Sequence, residues 1–262
     1  MAFEQLRLTV DAGLARLTFT DSARGNPIDA VLCAEMAEAA IQLSEDPDVR
    51  CVLIAAEGKA FSYGGDIGSF VGDLDELPRN IKRWTVGIHS GIARLQRMDA
   101  PIVSAVQGVC AGGMAAFVAG SDIVIAADDA KFVAAFAGIG FSNDSGSSIM
   151  YARRMGVART RRFLLLNETL DASAALAAGL VDEVTSLDDF AARAEAIAQQ
   201  LASGPTRAFG EMRRLLLSVQ DQPLETQLEL EAQALARSAA TADAREGLTA
   251  FAAHRKPVFL GA

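Results

Sequence analysis

The chain has 262 residues, of which 51% are hydrophobic and 22% charged, so it can bury a full apolar core in one or two domains. Its formal net charge of -9 argues against nucleic-acid binding, because an acidic surface repels phosphate backbones. Only two histidines occur, and no ligand cluster accompanies them in the sequence, which argues against a bound metal such as zinc.

The protein is expected to be cytoplasmic. Its three cysteines are an odd number without CxxC spacing, which fits a reducing compartment better than a disulfide framework. The first residues are not a basic segment followed by an apolar run, so no signal peptide is predicted. The apolar runs also stop well short of the ~20 residues that cross a bilayer, so no membrane association is expected.

Strands and helices are predicted to alternate along most of the chain. The first elements are a hairpin over 6–10 and 14–19 and a helix that Asp29 caps. Periodicity and breakers then predict strands over 49–56, 102–106, 123–127, 131–133 and 180–184, and helices over 78–98, 114–120, 146–155, 159–166 and 172–178. From residue 188 the pattern is helical, with breaks at 204–205 and 222–223. This predicts an α/β core followed by a helical C-terminal part.

Two glycine-rich loops, each after a buried strand, stand out from this pattern. The first reads Lys59-Ala60-Phe61-Ser62-Tyr63-Gly64-Gly65-Asp66, and the second reads Gln107-Gly108-Val109-Cys110-Ala111-Gly112-Gly113-Met114. Neither matches a nucleotide-binding motif, since Ala60 stands where a P-loop needs Ser or Thr and no GxGxxG follows a strand. Either loop alone is typical of an ordinary turn. The occurrence of both loops in this order is a far more specific signal of a functional site than either loop alone.

With these loops, the sequence resembles the enoyl-CoA hydratase/isomerase (crotonase) superfamily over nearly its whole length. Further matching stretches are Asn26 before the first helix, the segment Pro101 to Gly108, Ala178-Gly179-Leu180-Val181 and the tail from Arg245 to Lys256. The resemblance implies an α/β fold of the crotonase (ClpP-like) type, a spiral of strand–strand–helix units. We therefore expect residues 1–200 to form an acyl-CoA-binding core and 201–262 a helical region that forms homotrimers or hexamers.

The resemblance also implies which residues bind the substrate, an acyl-CoA thioester. The backbone N–H groups of Gly65 and Gly113 would donate to the thioester oxygen, and two such preorganised donors are each worth roughly 10²–10³ in rate. Coenzyme A enters as part of the substrate, and no permanently bound cofactor is expected. The candidate coenzyme A or substrate contacts are Arg24, Ser62, Tyr63, Asp66 and Phe136, with Phe251 and Lys256 supplied by a neighbouring subunit.

The residues that carry acid–base chemistry differ from those of a hydratase. Hydratases of the family use two glutamates, at positions occupied here by Ala116 and Phe136, and neither side chain activates water. The remaining candidate for the acid–base group is Asp144. Its position would also allow it to cap the helix predicted over 146–155. Many isomerases of the family have an aspartate here that moves a proton along the acyl chain.

The 4-chlorobenzoyl-CoA dehalogenases have their nucleophilic aspartate at the same place, and His89 falls at their general-base position. Imidazole titrates near neutral pH, although a single helical histidine is also typical of a structural residue. Where the dehalogenases have other aromatic residues this chain has Gly87-Ile88 and Gly65, whereas Phe136 keeps an aromatic.

Three functions follow. The leading one is Asp144-dependent isomerisation of an enoyl-CoA, the second is hydrolytic chemistry with Asp144 as nucleophile, and the third is acyl-CoA binding without turnover.

Overall fold

The larger of two sheets contains six strands in a computed structural model that describes residues 3–262. The first two strands pair antiparallel, as the predicted hairpin, and all other neighbours are parallel. In spatial order, and numbered along the chain, they are β1 (Leu6–Asp11), β2 (Leu14–Phe19), β3 (Cys51–Ala56), β4 (Ile102–Val106), β6 (Ile123–Ala127) and β9 (Glu183–Thr185).

Three short strands form the smaller sheet, in the order β5 (Val109–Ala111), β7 (Lys131–Val133) and β8 (Thr169–Asp171). β5 directly follows β4, and β7 directly follows β6, so each of these turns of chain gives one strand to each sheet. A single-residue bridge between Ser62 and Cys110 extends the small sheet to the first glycine loop.

Helices fill the remaining turns and the C-terminal part. They are α1 (Ala30–Glu45), α2 (Ile67–Gly72), α3 (Leu77–Arg97), α4 (Gly112–Ala119), α5 (Ser147–Leu165), α6 (Ala172–Ala177), α7 (Phe190–Ala202), α8 (Thr206–Ser218), α9 (Leu224–Ala239) and α10 (Ala242–Ala252). The order strand–strand–helix recurs in β1-β2-α1, β4-β5-α4 and β6-β7-α5. Among residues 3–262, no helix has both the length and the apolar character that crossing a membrane requires.

The central strands of the main sheet are buried on both faces, whereas β1 is largely exposed. On one face, α1, α3 and α4 contribute to the larger apolar core. On the other face, Ala194, Ala198 and Ala202 of α7 recur every four residues and pack over β3 and β4, against Leu53 and Val103. Burial on both faces explains why β3 and β4 are nearly continuous apolar runs rather than alternating ones.

The structure departs from the predicted elements where they are short or interrupted. The two helices predicted over 146–155 and 159–166 are confirmed as the two parts of α5, which are separated by a kink at Gly156, where φ is 77°. The last strand begins at Glu183 rather than residue 180. The prediction missed α2, β5 and β8 because elements of three to six residues are too short to display a period.

The C-terminal helices leave many large apolar side chains exposed. Arg213 anchors α8, since its buried guanidinium donates to the Asp122 carboxylate and to the carbonyls of Leu95 and Met98. The exposed apolar residues of α8, α9 and α10 include Met212, Leu216, Leu224, Leu228, Leu235, Leu248 and Phe251. All lie in the region 201–262, for which self-association remains a prediction. Helix α7 crosses that boundary and ends at Ala202.

An ion-pair cluster between α8 and α9 gives a prediction for stability in acid. Hydrogen bonds from Arg237 and Arg214 lower the pKa of the Glu211 carboxyl from 4.5 to about 2, against the opposing effect of burial. In this pH range the unfolded chain binds more protons at this carboxyl, so the stabilisation is complete above pH 4.5 and is lost as the pH falls to about 2.

Glu211→Gln should therefore weaken the dependence of the urea midpoint on pH across this window. The exposed Glu231→Gln, from the next helix, is the matched control and should keep the wild-type dependence. Equal pH dependence in wild type and Glu211→Gln would contradict the assignment.

Candidate active site

The loops that follow β3 and β4 lie side by side at one edge of the main sheet. Because β3 and β4 are parallel neighbours, their carboxyl ends meet at the same edge. The Ser62 N–H donates to the Val109 carbonyl at 3.0 Å, and the Ala111 N–H donates to the Ser62 carbonyl at 3.0 Å. These bonds join the two glycine-rich loops.

Both loops contain a Gly-Gly pair that makes the same backbone turn. The first glycine of each pair is left-handed, with φ of 86° at Gly64 and 56° at Gly112, a conformation that strains residues with a Cβ. The second glycines are Gly65 and Gly113. All four glycines line one cavity, so the turn brings backbone, rather than side chains, to its wall.

The N–H groups of Gly65 and Gly113 are available to a ligand. Gly113 is the second residue of α4, where N–H groups lack an acceptor within the helix. Within residues 3–262, no backbone carbonyl accepts from the Gly65 N–H. A Cβ on Gly113 would lie 2.6 Å from Ser145 Oγ, and one on Gly65 would lie 2.8 Å from the Phe70 ring. The two positions therefore suit glycine, and both residues line the same cavity.

The cavity in front of these glycines has a volume of about 620 Å³. Its walls are mainly apolar, and Asp144 is the only carboxylate among the described residues that line them. The aromatic lining residues are Tyr63, Phe70, Trp84, Phe136 and Phe141. A carboxylate and two backbone donors therefore face a volume that is otherwise suited to an apolar group.

Three of the aromatic rings form a continuous stack along the cavity. Phe70 of α2 stacks on Trp84 of α3 with ring centroids 5.9 Å apart and on Phe141 with centroids 5.9 Å apart. The interplanar angles are 17° and 25°, so the rings present nearly parallel faces. Offset stacking of this kind is favourable and gives the wall a flat, rigid shape.

Asp144 forms a hydrogen-bonded pair with His89. The Nε2 atom of His89 lies 2.8 Å from Asp144 Oδ1, although the residues are 55 positions apart. Ser145 Oγ donates to the other carboxylate oxygen at 3.4 Å. His89 follows the buried Ile88 on α3, which directs the imidazole away from the core and toward the segment that carries Asp144. The sequence thus brings its two candidate acid–base residues together.

The backbone around Asp144 is irregular, and Asp144 does not cap a helix. Helix α5 begins at Ser147 with Gly146 as its N-cap and without a side-chain capping bond. The interpretation of Asp144 as a helix cap is therefore wrong, because its carboxylate is bonded to His89 instead. Positive φ angles of 56° at Ser145 and 78° at Gly146 turn the chain between Asp144 and α5.

Cys33 also lines the cavity but is not a candidate nucleophile. Burial raises the pKa of its thiol to about 12, and the nearby carboxylates of Asp29 and Asp144 act in the same direction. The thiolate that nucleophilic attack requires is therefore scarce at neutral pH.

The enoyl-CoA hydratase/isomerase family model matches residues 9–262. The chain belongs to the enoyl-CoA hydratase/isomerase family. The resemblance seen in the sequence is confirmed, and the chain is an acyl-CoA-transforming enzyme of this family. A crystallised family member from Mycobacterium abscessus is 35% identical and superposes with a TM-score of 0.93, covering 98% of this chain and 100% of that chain. The predicted crotonase fold is thereby confirmed as well.

Two curated relatives are similar over most of the chain. The 1,2-epoxyphenylacetyl-CoA isomerase of Escherichia coli K12 is 33% identical, over 96% of this chain and 97% of its own length. The 4-chlorobenzoyl coenzyme A dehalogenase-2 of an Arthrobacter species is 32% identical, over 84% of this chain and 80% of its own length. One relative is named as an isomerase and the other as a dehalogenase, so family membership alone leaves the reaction open.

Two of the predicted coenzyme A contacts, Arg24 and Ser62, already form hydrogen bonds within the protein. The Arg24 guanidinium donates hydrogen bonds to the carboxylates of Asp21 and Asp29 and lies 3.5 Å from Asp66. These hydrogen bonds raise the pKa of Arg24, and the bond to Asp29 has the larger effect. A phosphate would have to compete with these carboxylates for the guanidinium. Ser62 is buried; its hydroxyl donates to the Asn26 carbonyl and accepts from the Gly64 N–H, so it supports the loop.

The other predicted contacts fall into two places. Tyr63 and Phe136 line the cavity, the former with an exposed ring. Phe251 on α10 is 82% exposed, and Lys256 beyond it is exposed too. Neither is among the residues that line the cavity of this single chain. A role for Phe251 and Lys256 in a neighbouring subunit remains a prediction.

Asn26 holds the first glycine-rich loop in place. It is buried with a φ of 51°, and its side-chain amide donates to the carbonyls of Glu57, Ala60 and Phe61. Asn26→Gly keeps the backbone freedom but removes these bonds, and should lower the free energy of unfolding by ~1–3 kcal/mol. Asn26→Ala should cost about 1 kcal/mol more, because alanine is strained at this φ.

Urea denaturation of the two Asn26 variants measures both effects separately. Wild-type stability in Asn26→Gly would contradict a supporting role for the amide. Equal stability of the two variants would contradict the strain at this position.

Sequence reasoning missed part of the cavity wall. Trp84 lies in the helix predicted over 78–98, and periodicity cannot distinguish a residue that faces the core from one that faces a cavity. Phe70 lies on the short α2, which carried no helical signal. Ser145 had no sequence signal at all. Only the fold brings it beside Gly113 and Asp144.

Proposed function

We propose that the protein is an isomerase that moves a proton along the acyl chain of an enoyl-CoA, with Asp144 as the acid–base group. The observation that carries this proposal is one carboxylate in an otherwise apolar cavity that also contains two free amide donors. Asp144 removes a proton from a carbon that is acidified by the thioester, which leaves an enolate and a protonated Asp144. Return of the proton to a different carbon shifts the double bond and restores the carboxylate.

The two glycine amides would supply most of the stabilisation of the enolate. Negative charge develops on the thioester oxygen when the proton leaves, and donors fixed in advance stabilise it without reorganisation. Gly113 lies in the first turn of α4, whose positive dipole end adds to this effect. A thioester oxygen between Gly65 and Gly113 leaves the acyl chain facing Asp144 and the aromatic stack.

A single carboxylate fits isomerisation better than hydration. Hydration needs one group to activate water and another to exchange a proton with the acyl carbon. The hydratase positions are filled by Ala116, which is buried within α4, and by Phe136, which lines the cavity. Proton removal and return at neighbouring carbons need only one group.

The aromatic stack favours an acyl group that carries a planar ring. The stacked rings of Phe70, Trp84 and Phe141 line the cavity, and an aryl group gains more from offset or edge-on contact with aromatic rings than an alkyl chain of similar volume. Two relatives act, by their names, on phenylacetyl and chlorobenzoyl derivatives, which supports the same class. We expect an aryl-substituted acyl-CoA to be a better substrate than a straight-chain one.

Nucleophilic attack by Asp144 is the second candidate. The dehalogenase relative, at 32% identity, and the direct contact of Asp144 with His89 favour it. In this mechanism the Asp144 carboxylate displaces CoA thiolate from the acyl carbon, which forms a mixed anhydride, or displaces a halide from a ring carbon, which forms an ester. Water then attacks the carbonyl carbon of Asp144 and releases the substrate part as an acid or a ring hydroxyl compound, so an oxygen of the solvent enters the carboxylate. Binding of an acyl-CoA without turnover is the third candidate.

Two isotopes distinguish these functions in the wild-type protein. Aryl-substituted and straight-chain enoyl-CoA esters are incubated with the enzyme in D₂O, and deuterium uptake and double-bond position are followed by NMR. Turnover in H₂¹⁸O, followed by mass spectrometry of the peptide that contains Asp144, reports nucleophilic attack. The isomerase proposal expects deuterium uptake and an unlabelled peptide. A labelled peptide would overturn it in favour of the nucleophilic mechanism, and neither signal would indicate binding only.

The quaternary structure and cofactor content are part of the proposal. The exposed apolar side chains of α8, α9 and α10 favour a homotrimer or a hexamer. Coenzyme A would be present only as part of the substrate. Light scattering of the purified chain would measure the oligomer, and a monomer at micromolar concentration would exclude it.

A further inference from the structure

We propose that Phe70 limits the length of the acyl group that the substrate cavity admits, because its ring closes an opening between Trp84 and Phe141. The inference rests on the proposed acyl-CoA substrate and deepens it. The favoured acyl groups are short or end in a single ring, and long straight chains are excluded. Phe70 is thereby a specificity-determining residue that takes no part in the proton transfer.

The ring of Phe70 is the middle one of the aromatic stack. Trp84 belongs to α3 and Phe141 to the segment that carries Asp144, and the Phe70 centroid lies 5.9 Å from the centroid of each. Among the described residues, Trp84 and Phe141 do not form a ring pair with each other. The two walls of the cavity at this level are therefore connected through Phe70.

The opening that Phe70 closes leads toward solvent. Of residues 67–76, which the structure describes in full and which include α2, Phe70 is the only one that is not exposed. In the described part of the chain, no hydrogen bond joins these ten residues to a residue outside 66–80. The segment is therefore held against the cavity chiefly by this one ring, and water lies behind it.

The ring also lies close to the reacting end of the substrate. A Cβ on Gly65 would lie 2.8 Å from Phe70 Cζ, so the ring touches the residue whose amide would hold the thioester oxygen. Along α3, Trp84 precedes His89, the partner of Asp144, by about 8 Å of helix. An acyl group therefore reaches the stack within a few carbon atoms of the thioester.

The closed stack treats rings and straight chains differently. A substrate ring that packs offset or edge-on against the stack gains roughly 2- to 10-fold in affinity. A straight chain gains about fourfold for each CH₂ group that it buries, but only while there is space to bury it. Once the chain reaches Phe70, further CH₂ groups stay in water, so the affinity stops rising.

The test measures affinity against acyl length. Saturated CoA esters from butanoyl to decanoyl have no double bond to move, so their binding is measured without turnover. Trp84 is the only tryptophan of the 262 residues, so its emission reports binding, and calorimetry gives the Kd independently. In wild type, the Kd should fall about fourfold per CH₂ group and then level off at a definite length.

Phe70→Ala should move that length upward, because the chain can then fill the space between Trp84 and Phe141. Two further buried CH₂ groups would lower the Kd of the longest ester roughly tenfold. The Kd of 3-phenylpropanoyl-CoA should instead rise several-fold, since one ring of the stack is lost. A general loss of structure would weaken both ligands, so opposite changes identify a role in specificity.

Three further variants complete the series. Phe70→Leu keeps an apolar anchor for α2 and should move the length upward by less than Phe70→Ala. Phe70→Trp carries a larger ring and should move it downward. Val71→Ala, at the next residue of α2, is the matched control: Val71 is 65% exposed and does not line the cavity, so the wild-type length should be kept.

The same levelling length in wild type, Phe70→Ala and Phe70→Leu would overturn the inference, as would weaker binding of both the longest ester and the aryl ester to Phe70→Ala. Normal binding without deuterium uptake from D₂O would overturn the isomerase function and leave the length limit standing. Failure of every ester to bind the wild type would overturn both, so the failures are distinguishable.

Discussion

Asp144→Asn is expected to lower the rate of proton removal from an acyl-CoA by roughly 10²–10⁴-fold, the usual contribution of a positioned acid–base group. The substitution preserves the size of the side chain and an oxygen that accepts from His89. An amide does not accept a proton from carbon at neutral pH. Because the change is confined to basicity, affinity for the CoA ester should stay close to that of the wild type.

The measurements for Asp144→Asn are the deuterium exchange rate in D₂O and the dissociation constant by calorimetry. Asp75→Asn removes an exposed carboxylate outside the cavity and serves as the matched control. Exchange in Asp144→Asn within a few-fold of wild type would show that another group removes the proton.

Removal of the Gly113 amide is expected to lower kcat by roughly 10²–10³-fold, the cost of one oxyanion donor. Gly113→Pro removes the N–H without breaking a bond within the helix, because first-turn amides have no partner there. Any side chain at this position also meets Ser145 Oγ, at 2.6 Å from the new Cβ. The comparison is therefore made in a Ser145→Ala background, which removes that oxygen.

Gly113→Ala in the same background is the matched control. It adds a Cβ at the same place but keeps the N–H, so the ratio of the two kcat values isolates the hydrogen-bond donor. Thermal unfolding of both variants verifies that the fold is retained. Equal kcat in the Pro and Ala variants would exclude the Gly113 amide from the oxyanion hole.

The sheet and the glycine loops were predictable because their signals are local. Buried parallel strands appear as short apolar runs, as in Cys51–Ala56 and Ile102–Val106, and the loop after each carries its glycines at positions of required left-handed backbone. The Asp29 cap of α1 was predictable for the same reason, and it is confirmed by the bond from the Leu32 N–H. These features depend on neighbours within a few residues.

The site was less predictable because its contacts are distant in sequence. The pairing of His89 with Asp144 joins α3 to an irregular loop, and only a family resemblance suggested both residues. The stack of Phe70, Trp84 and Phe141 joins three separate segments, so no spacing along the chain encodes it.

The irregular segment that carries Asp144 has a consequence for how new activities arise in this scaffold. Between β7 and α5 the chain has positive φ angles at Ala135, Gly140, Ser145 and Gly146, and none of its residues pairs with the main sheet. The loops that carry Gly65 and Gly113, in contrast, follow the parallel strands β3 and β4. Substitutions in this segment can therefore change which group faces the cavity without disturbing the glycine loops. If the proposed function holds, a new reaction can arise by substitutions in this one loop, while the two glycine loops that would bind the thioester stay unchanged.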